Sequence, residues 1–272
     1  MTKKILITGA NGQLGHEMRN ALKGNNRFEC IFTDVAELDI CNAEAVKQII
    51  ADNHIDYIVN CAAYTQVDKA EDNAELCKKI NTDAVENLAR AAATYGARMI
   101  HISTDYVFNG RGYRPYTEDV VPDPQSVYGS TKLEGEKILT DICPESIIIR
   151  TAWLYSPYGN NFVKTMLHLG EEREELSVVA DQIGTPTCAA DLAQAILVIL
   201  QADTFVPGTY HFSDEGACSW YDFTVTIHRL AGITTCRVTP IRSDEYPSKA
   251  HRPFYSVLDL SLIHISEPTR RV

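Results

Sequence analysis

Residues 5–15, ILITGANGQLG, decide the fold, because they join a buried strand to a helix through evenly spaced glycines. The run Lys3 to Thr8 predicts a β-strand, and Leu14 to Leu22 has the apolar periodicity of an amphipathic helix. A glycine turn between such elements leaves backbone N–H groups and the positive end of the helix dipole facing outwards. The stretch therefore predicts a site for a phosphate-bearing dinucleotide.

The spacing through Gly9, Gly12 and Gly15 is G-x-x-G-x-x-G, which differs from the G-x-G-x-x-G of the commonest dehydrogenases. By itself such a loop is also compatible with a tight turn that binds nothing. The next predicted strand, Phe28 to Thr33, ends in Asp34, whose carboxylate can accept hydrogen bonds from the hydroxyls of an adenosine ribose. The loop and the acidic residue together favour dinucleotide binding.

Strands and helices continue to alternate after this unit. The pattern predicts helices at Ala43 to Asn53, Ala74 to Tyr95 and Ser126 to Leu139, and strands at Ile55 to Ala62, Met99 to Ser103 and Ser146 to Ala152. Such alternation implies a parallel sheet with helices on both faces and ligands at the carboxyl ends of the strands. We therefore predict an α/β fold, a Rossmann-type doubly wound parallel sheet with a smaller C-terminal substrate-binding lobe.

The expected division of the chain is interleaved. Residues 1–155 form mainly the dinucleotide-binding domain, and residues 156–260, where the pattern becomes less regular, form mainly the substrate-binding lobe. Residues 261–272 are an atypical tail, because the run from Leu262 to Val272 lacks the helical pattern expected to close such a lobe.

The charge and composition of the chain argue against several classes of binding partner. A net charge of −11 argues against nucleic acid and against an anionic membrane surface, which both require clustered Lys and Arg. No run is long and apolar enough to span a bilayer, and no signal-peptide pattern precedes the first strand. The eight cysteines are scattered without metal-ligand spacing, so we expect buried thiols in a reducing cytoplasm and no metal site.

Tyr128 and Lys132, in the run SVYGSTK, carry the predicted chemistry. Residues four apart share one face of a helix, and a lysine ammonium there stabilises a tyrosinate and lowers the pKa of the phenol. A tuned phenol can exchange a proton with a carbonyl or alcohol oxygen, and Thr104 at the end of a predicted strand can add a second hydroxyl donor. The alternative is a surface helix pair. With the glycine loop, however, the three residues predict a nicotinamide-dependent oxidoreductase.

Six stretches in register resemble the extended short-chain dehydrogenase/reductase family, namely GANGQLG, VNCAAYTQVDKAE, STDYVFNG, YGSTKLEGE, RTAWLYSPYGNNFVKTM and DQIGTPT. The resemblance runs from about Lys4 to Asp259 and is strongest to members that reduce dTDP-linked keto-sugars. It implies that NADH or NADPH reduces the C4 ketone of dTDP-4-dehydro-6-deoxy-L-mannose to give dTDP-L-rhamnose. For the assembly of this chain we consider a homodimer.

The same resemblance implies roles for individual residues. Tyr128 is the proton donor, Lys132 holds the nicotinamide ribose and tunes the phenol, and Thr104 hydrogen-bonds the ketone oxygen. Sugar-binding positions are matched by Thr104, Asp105 and Trp153. Cofactor-binding positions are matched by Gly9, Gly12, Gln13, Leu14, Gly15, Asp34, Asp39, Ile40, Ala63, Tyr64, Thr65, Tyr128 and Lys132.

Other activities stay open at this point. Related dehydratases carry Glu after the Asp that follows the catalytic Thr, but here Tyr106 follows Asp105, which favours a simple reductase. A non-catalytic cofactor-binding subunit, such as the methionine adenosyltransferase regulatory beta subunit, is one alternative, and a nucleotide-sugar epimerase is another. For the cofactor, the carboxylate of Asp34 would repel the 2′-phosphate of NADPH, so we expect NADH to be used at least as well.

Overall fold

A six-stranded, wholly parallel sheet forms the centre of the protein in a computed structural model that describes residues 2–266. The strands of the chain are β1 (Lys3–Thr8), β2 (Phe28–Thr33), β3 (Tyr57–Asn60), β4 (Arg98–Thr104), β5 (Ile147–Thr151), β6 (Leu154–Tyr155), β7 (Glu175–Val179), β8 (Ile183–Gly184), β9 (Thr187–Cys188), β10 (Gly208–His211), β11 (Cys218–Ser219) and β12 (Arg237–Ile241). The central sheet has the order β10-β5-β4-β3-β1-β2. The order reverses between β1 and β3, where open α/β sheets bind their ligands.

Helices cover both faces of this sheet. They are α1 (Gln13–Ala21), α2 (Ala43–Asn53), α3 (Val67–Asp72), α4 (Ala74–Lys78), α5 (Ala84–Tyr95), α6 (Val127–Ile142), α7 (Phe162–Glu172), α8 (Ala189–Gln201), α9 (Trp220–Ala231) and α10 (Ser261–Ser266). Ile5 and Ile7 of β1 pack in one core with α1 and α8, whereas Leu6 packs in a second core with α2, α5 and α6. Because successive side chains of a strand alternate between faces, one buried strand supplies both cores.

The smaller elements lie beyond β5. Strands β7 and β12 pair in parallel, and a separate core joins them to α7 and α9. The second half of the chain also returns to the large sheet, because β10 lies at its edge and pairs with β5. These pairings agree with an interleaved arrangement, and the domain ranges given above stay a prediction.

The α/β fold and the parallel sheet are confirmed, and β1, β2 and α2 have the bounds predicted for them. The prediction of one helix from Ala74 to Tyr95 is wrong in detail, because a π-helical turn at Lys79–Asp83 separates α4 from α5. The short helix α3 was not predicted. The tail prediction is wrong for Ser261–Ser266, which form α10, while residues 267–272 lie outside the described part of the chain.

The described residues lack two features that would indicate other classes of protein. No helix within residues 2–266 has the length and apolar character needed to cross a membrane. Over the same residues, no group of His, Cys, Asp and Glu side chains could hold a metal ion. All eight cysteines are free thiols.

Candidate active site

The carboxyl ends of the central strands open into one cleft of about 890 Å³. Side chains from loops that are far apart in the chain line this cleft, because the carboxyl ends of parallel strands lie at the same edge of the sheet. Among the predicted site residues, those that line the cleft are Gly12, Gln13, Leu14, Ala63, Thr65, Thr104, Asp105, Tyr128, Lys132 and Trp153.

The glycine loop forms one end of the cleft. Gly9 has a φ of +63°, and a Cβ there would lie 2.7 Å from the Ala62 backbone, so the turn requires glycine. At Gly15 a Cβ would collide with the carbonyl oxygen of Gly9. Gly12 is the N-cap of α1, and no side chain of the described residues caps this end. The open helix N-terminus and the close backbone approach fit the pyrophosphate of a dinucleotide.

The predicted cofactor residues Asp34, Asp39 and Ile40 are not among the residues that line the cleft. Asp34 accepts hydrogen bonds from the backbone N–H groups of Asn11 (2.9 Å) and Val35 (2.8 Å), so its carboxylate also fastens the glycine loop. Asp39 accepts the N–H of the residue two positions later, and Ile40 is buried in the second core. Asp34 is thus joined to the glycine loop, and the part of all three residues in binding stays a prediction.

Tyr64 is held through its backbone by a residue that sequence reasoning missed. Asn81 accepts the N–H of Tyr64 at 2.8 Å and donates to its carbonyl oxygen at 3.1 Å. Asn81 lies in the π-helical turn, and π-helical turns are frequent at functional sites. The signal in the sequence was weak, because a single π-helical turn of five residues is too short to change the helical pattern on either side of it.

Tyr128 lies in the first turn of α6, beside the end of β4. Ser126 caps this helix by accepting the N–H of Gly129, and Glu71 accepts the N–H of Val127. The predicted lowering of the pKa of Tyr128 by Lys132 is wrong for the described structure. Burial raises the pKa of Tyr128 above its ordinary value, and hydrogen bonding with the Thr104 hydroxyl opposes this effect only in part. Thr104 and Tyr128 are thus brought together, as predicted.

Lys132 extends from α6 beneath the cleft and is 1% exposed. Its Nζ donates a hydrogen bond of 2.6 Å to the carbonyl oxygen of Ile102 and lies 3.3 Å from Nε2 of His101. Burial lowers the pKa of Lys132 to about 8, against an opposing effect of the Glu136 carboxylate one turn later. The lysine is therefore a buried group close to its ionisation point and not part of a surface helix pair.

Asp105 and Trp153 also line the cleft, and Asp105 accepts a hydrogen bond from the Thr104 hydroxyl at 3.0 Å. The Asp105 side chain is 2% exposed, and burial raises its pKa to about 6. Trp153 has a φ of +49° and stacks on Trp220 with ring centroids 3.4 Å apart. A Cβ at Gly184 would lie 2.5 Å from the indole of Trp153, so this glycine makes room for the ring. The indole is thus a packed part of the wall, and one that faces the cleft.

Arg252 is the main cleft residue that the sequence did not single out as a site. Its guanidinium donates a hydrogen bond of 2.5 Å to Asp68 and a weaker one of 3.4 Å to the hydroxyl of Tyr106. Lys69 and Asn161 also line the cleft, and Asn161 donates to the side chain of Gln13. The available signal in the sequence was that Arg252 is a cation of an acidic chain within the stretch from Lys4 to Asp259 that resembles the family.

Comparison with known proteins agrees with this geometry. The family model described as "RmlD substrate binding domain" matches residues 3–269. A dTDP-4-dehydrorhamnose reductase of Aggregatibacter actinomycetemcomitans is 42% identical, over 96% of this chain and 92% of that protein.

Two solved structures are similar over almost the whole chain. A dTDP-4-dehydrorhamnose reductase of Clostridium acetobutylicum is 50% identical with a TM-score of 0.93, over 97% of this chain and 92% of that one. The Bacillus anthracis reductase in complex with NADP is 41% identical with a TM-score of 0.94, over 98% of this chain and 93% of that one. The chain therefore belongs to the RmlD substrate binding domain family, together with the dTDP-4-dehydrorhamnose reductases.

Proposed function

We propose that this protein reduces the C4 ketone of dTDP-4-dehydro-6-deoxy-L-mannose to dTDP-L-rhamnose, with NADH or NADPH as the reductant. The observation that carries the proposal is the meeting of Thr104, Tyr128 and Lys132 on the wall of the cleft that begins at the glycine loop. The names of the similar reductases and the NADP in one of their structures support the same activity.

The residues present fit a nicotinamide dinucleotide. Gly12 and the first residues of α1 would hold its pyrophosphate, Asp34 its adenosine ribose, and Tyr128 with Lys132 its nicotinamide ribose. When bound, the cofactor supplies the hydride for the ketone carbon. The residues Asp39, Ile40, Ala63, Tyr64 and Thr65 complete the proposed cofactor site along the ends of β2 and β3.

The protein's own side chains stabilise the charge that develops on the ketone oxygen and supply a proton to it. Reduction of a carbonyl develops negative charge on that oxygen, and the Thr104 and Tyr128 hydroxyls can stabilise it by hydrogen bonding. Tyr128 then gives its phenol proton to the oxygen, which completes the alcohol and leaves a tyrosinate. The raised pKa of Tyr128 makes this tyrosinate unfavourable, so a proton donor such as Lys132 is needed to restore the phenol.

The same cleft would hold the nucleotide sugar. Asp105 and Trp153 offer a carboxylate and an aromatic surface to a sugar ring, which suits its hydroxyls and its C–H face. Arg252 and Lys69 bring positive charge to the same cleft, and we assign Arg252 to the diphosphate of the dTDP group. A cation is needed there because the chain as a whole carries a charge of −11.

A turnover assay tests the proposal. The purified protein is mixed with enzymatically prepared dTDP-4-dehydrorhamnose and with NADH or NADPH, and the absorbance of the reduced nicotinamide is followed. We expect a stoichiometric loss of absorbance and formation of dTDP-L-rhamnose. A cofactor-binding regulatory subunit would give no turnover, and an epimerase would consume no reduced cofactor, so either result would replace the proposal with the corresponding alternative.

Two further proposals concern the assembly and the location of the protein. We propose a homodimer, which size measurements in solution test directly. We also propose a cytoplasmic location, which the eight free thiols support because a reducing compartment keeps cysteines unpaired.

A further inference from the structure

Behind the cleft, Lys132 is the last member of a chain of buried polar side chains. The chain runs from Thr8 in β1 through Asn60 in β3 and His101 in β4 to Lys132 in α6, and each member is at most 1% exposed. It therefore crosses three neighbouring strands of the sheet. Buried polar groups must satisfy one another, so their donors and acceptors can be assigned one by one.

Asn60 fixes the direction of this chain. The backbone N–H of Ala62, which can only donate, lies 3.2 Å from one side-chain atom of Asn60, so that atom must be the amide oxygen. The hydroxyl of Thr8 donates to the same oxygen at 2.7 Å. The amide nitrogen of Asn60 then faces Nδ1 of His101 at 3.0 Å and donates to it. The orientation of the amide is thereby set by the backbone.

The consequence for His101 is a single tautomer. Since Nδ1 accepts a hydrogen bond from Asn60, a neutral His101 carries its proton on Nε2, and this N–H points at Nζ of Lys132, 3.3 Å away. Two donors face each other whenever Lys132 is an ammonium ion. A neutral lysine amine, in contrast, can accept the Nε2–H.

The other groups that face Lys132 act in the opposite sense or supply only one acceptor. Glu136, one turn along α6, favours the ammonium through its charge, whereas burial raises the pKa of the Cys77 thiol of α4, which therefore stays neutral. From β4, the carbonyl oxygen of Ile102 accepts one lysine N–H at 2.6 Å. Tyr128 lies one turn before Lys132 on α6, and both residues line the cleft. His101 is thus the neighbour whose hydrogen-bonding geometry favours the neutral amine.

We propose that His101 is a positioning residue that makes the Lys132 ammonium a ready proton donor, because its Nε2–H stabilises the amine that remains. In each turnover Tyr128 loses its proton to the product oxygen, Lys132 passes a proton to the tyrosinate, and the amine then regains one from water in the cleft. No oxidant or reductant is needed for this relay. Its catalytic consequence rests on the proposed reductase activity, whereas the tautomer and the lysine ionisation do not.

The electrostatics of the two buried groups agree with this geometry. Burial, followed by the charge of Lys132, lowers the pKa of His101 well below its ordinary value, so the imidazole is neutral at physiological pH. Burial is also the largest cause of the lowered pKa of Lys132. A neutral imidazole is the state in which the assignment of a single tautomer applies.

Nuclear magnetic resonance of the cofactor-free protein tests the tautomer without any variant. Long-range proton–nitrogen spectra of the imidazole rings should show His101 protonated on Nε2. His211 and His228 are internal references, because Nδ1 of His211 faces a carbonyl oxygen at 3.0 Å and Nε2 of His228 faces another at 2.9 Å. The spectrum should therefore contain one buried histidine of each kind beside His101. A proton on Nδ1 of His101 overturns the proposal.

Asn60→Asp tests the link to Lys132. A carboxylate accepts from Nδ1–H, so it should switch the His101 tautomer and turn Nε2 into an acceptor for the ammonium. With labelled lysine, and with Lys132→Met to assign the signal, the ionisation midpoint of Lys132 should rise by about one pH unit or more. A midpoint that stays in place overturns the proposal, and so does a rise without a change of tautomer, because that is the effect of added charge alone.

The pH profile of turnover then separates this inference from the proposed function. In Asn60→Asp the alkaline limb of kcat should move upwards together with the Lys132 midpoint. A shifted midpoint with an unmoved limb overturns the relay but leaves the reductase in place. If wild-type protein gives no turnover at all, the proposed function and the relay that depends on it fail, while the tautomer measurement still stands.

Discussion

Replacement of Asp105 by Asn should stabilise the fold at neutral pH, although it removes a group from the cleft. Burial raises the pKa of Asp105 from an ordinary value of 3.8 to about 6. The side chain is 2% exposed, so solvent screening takes away little of the effect. A carboxyl group whose pKa is higher in the folded state costs stability once it is forced to ionise there.

The sign and size follow from proton linkage. Below about pH 4 the carboxyl is protonated in both folded and unfolded chains and costs nothing. Between about pH 4 and pH 6 only the folded chain keeps the proton, so stability falls as the pH rises. Above about pH 6 the full penalty is present, and a difference of about two units corresponds to about 3 kcal/mol. Asn carries no ionisable proton and escapes this penalty.

Chemical denaturation of wild type and Asp105→Asn from about pH 4.5 to pH 8 measures the effect. The free energy of unfolding of the variant, minus that of wild type, should increase by about 2 kcal/mol across this interval and then level off, because about 1 kcal/mol of the penalty is already present at pH 4.5. Asp222→Asn is a control of opposite sign, because hydrogen bonds from Ser219 lower the pKa of Asp222 at the start of α9. A difference for Asp105→Asn that is constant with pH would refute the reasoning.

Three further predictions concern turnover. Tyr128→Phe should keep cofactor affinity, measured by fluorescence titration, and lose roughly 10²–10⁴-fold in kcat, so near-normal turnover would remove Tyr128 from its role as proton donor. Wild type should use NADH at least as well as NADPH. Asp34→Asn should move the ratio of the kcat/KM values for the two cofactors roughly tenfold towards NADPH. An NADPH preference of wild type would mean that the Asp34 carboxylate faces away from the 2′-phosphate. Arg252→Gln should raise KM for the nucleotide sugar by about tenfold or more with little change in kcat, and an unchanged KM would show that the guanidinium serves only its ion pair with Asp68.

The parts of this structure that the sequence predicts well are those written in short-range patterns. The strand, glycine turn and helix from Lys3 onwards obey local rules, since strand burial, turn geometry and helix periodicity are each set within a few residues. Tyr128 and Lys132 were found from their spacing of four residues on one helix, and Thr104, at the end of a strand, was assigned to the ketone oxygen by the family resemblance. Short-range patterns, and the rule that ligands bind at the carboxyl ends of parallel strands, therefore predict where the site lies.

The parts that could not be predicted depend on contacts across the chain. Arg252 reaches the cleft only because its segment crosses to α3 and pairs with Asp68. Packing of α6 on the sheet buries Lys132 and partly buries Tyr128. This burial lowers the pKa of Lys132 and raises the pKa of Tyr128, which their spacing of four residues does not predict. The orientation of Asn60, which sets the state of His101, depends on the backbone N–H of Ala62 two residues later and on the hydroxyl of Thr8 from the neighbouring strand β1.

The position of β10 has a consequence for how the chain assembles during synthesis. A ribosome releases β1 to β5 before it has made the strand that covers the outer edge of β5. Until Gly208–His211 emerge, the N–H and C=O groups of that edge are open to any passing strand, and unpaired edges are where nascent chains associate wrongly. The central sheet therefore cannot be completed as an N-terminal unit during synthesis, and most of the residues between β5 and β10 must be made before the edge of β5 is covered.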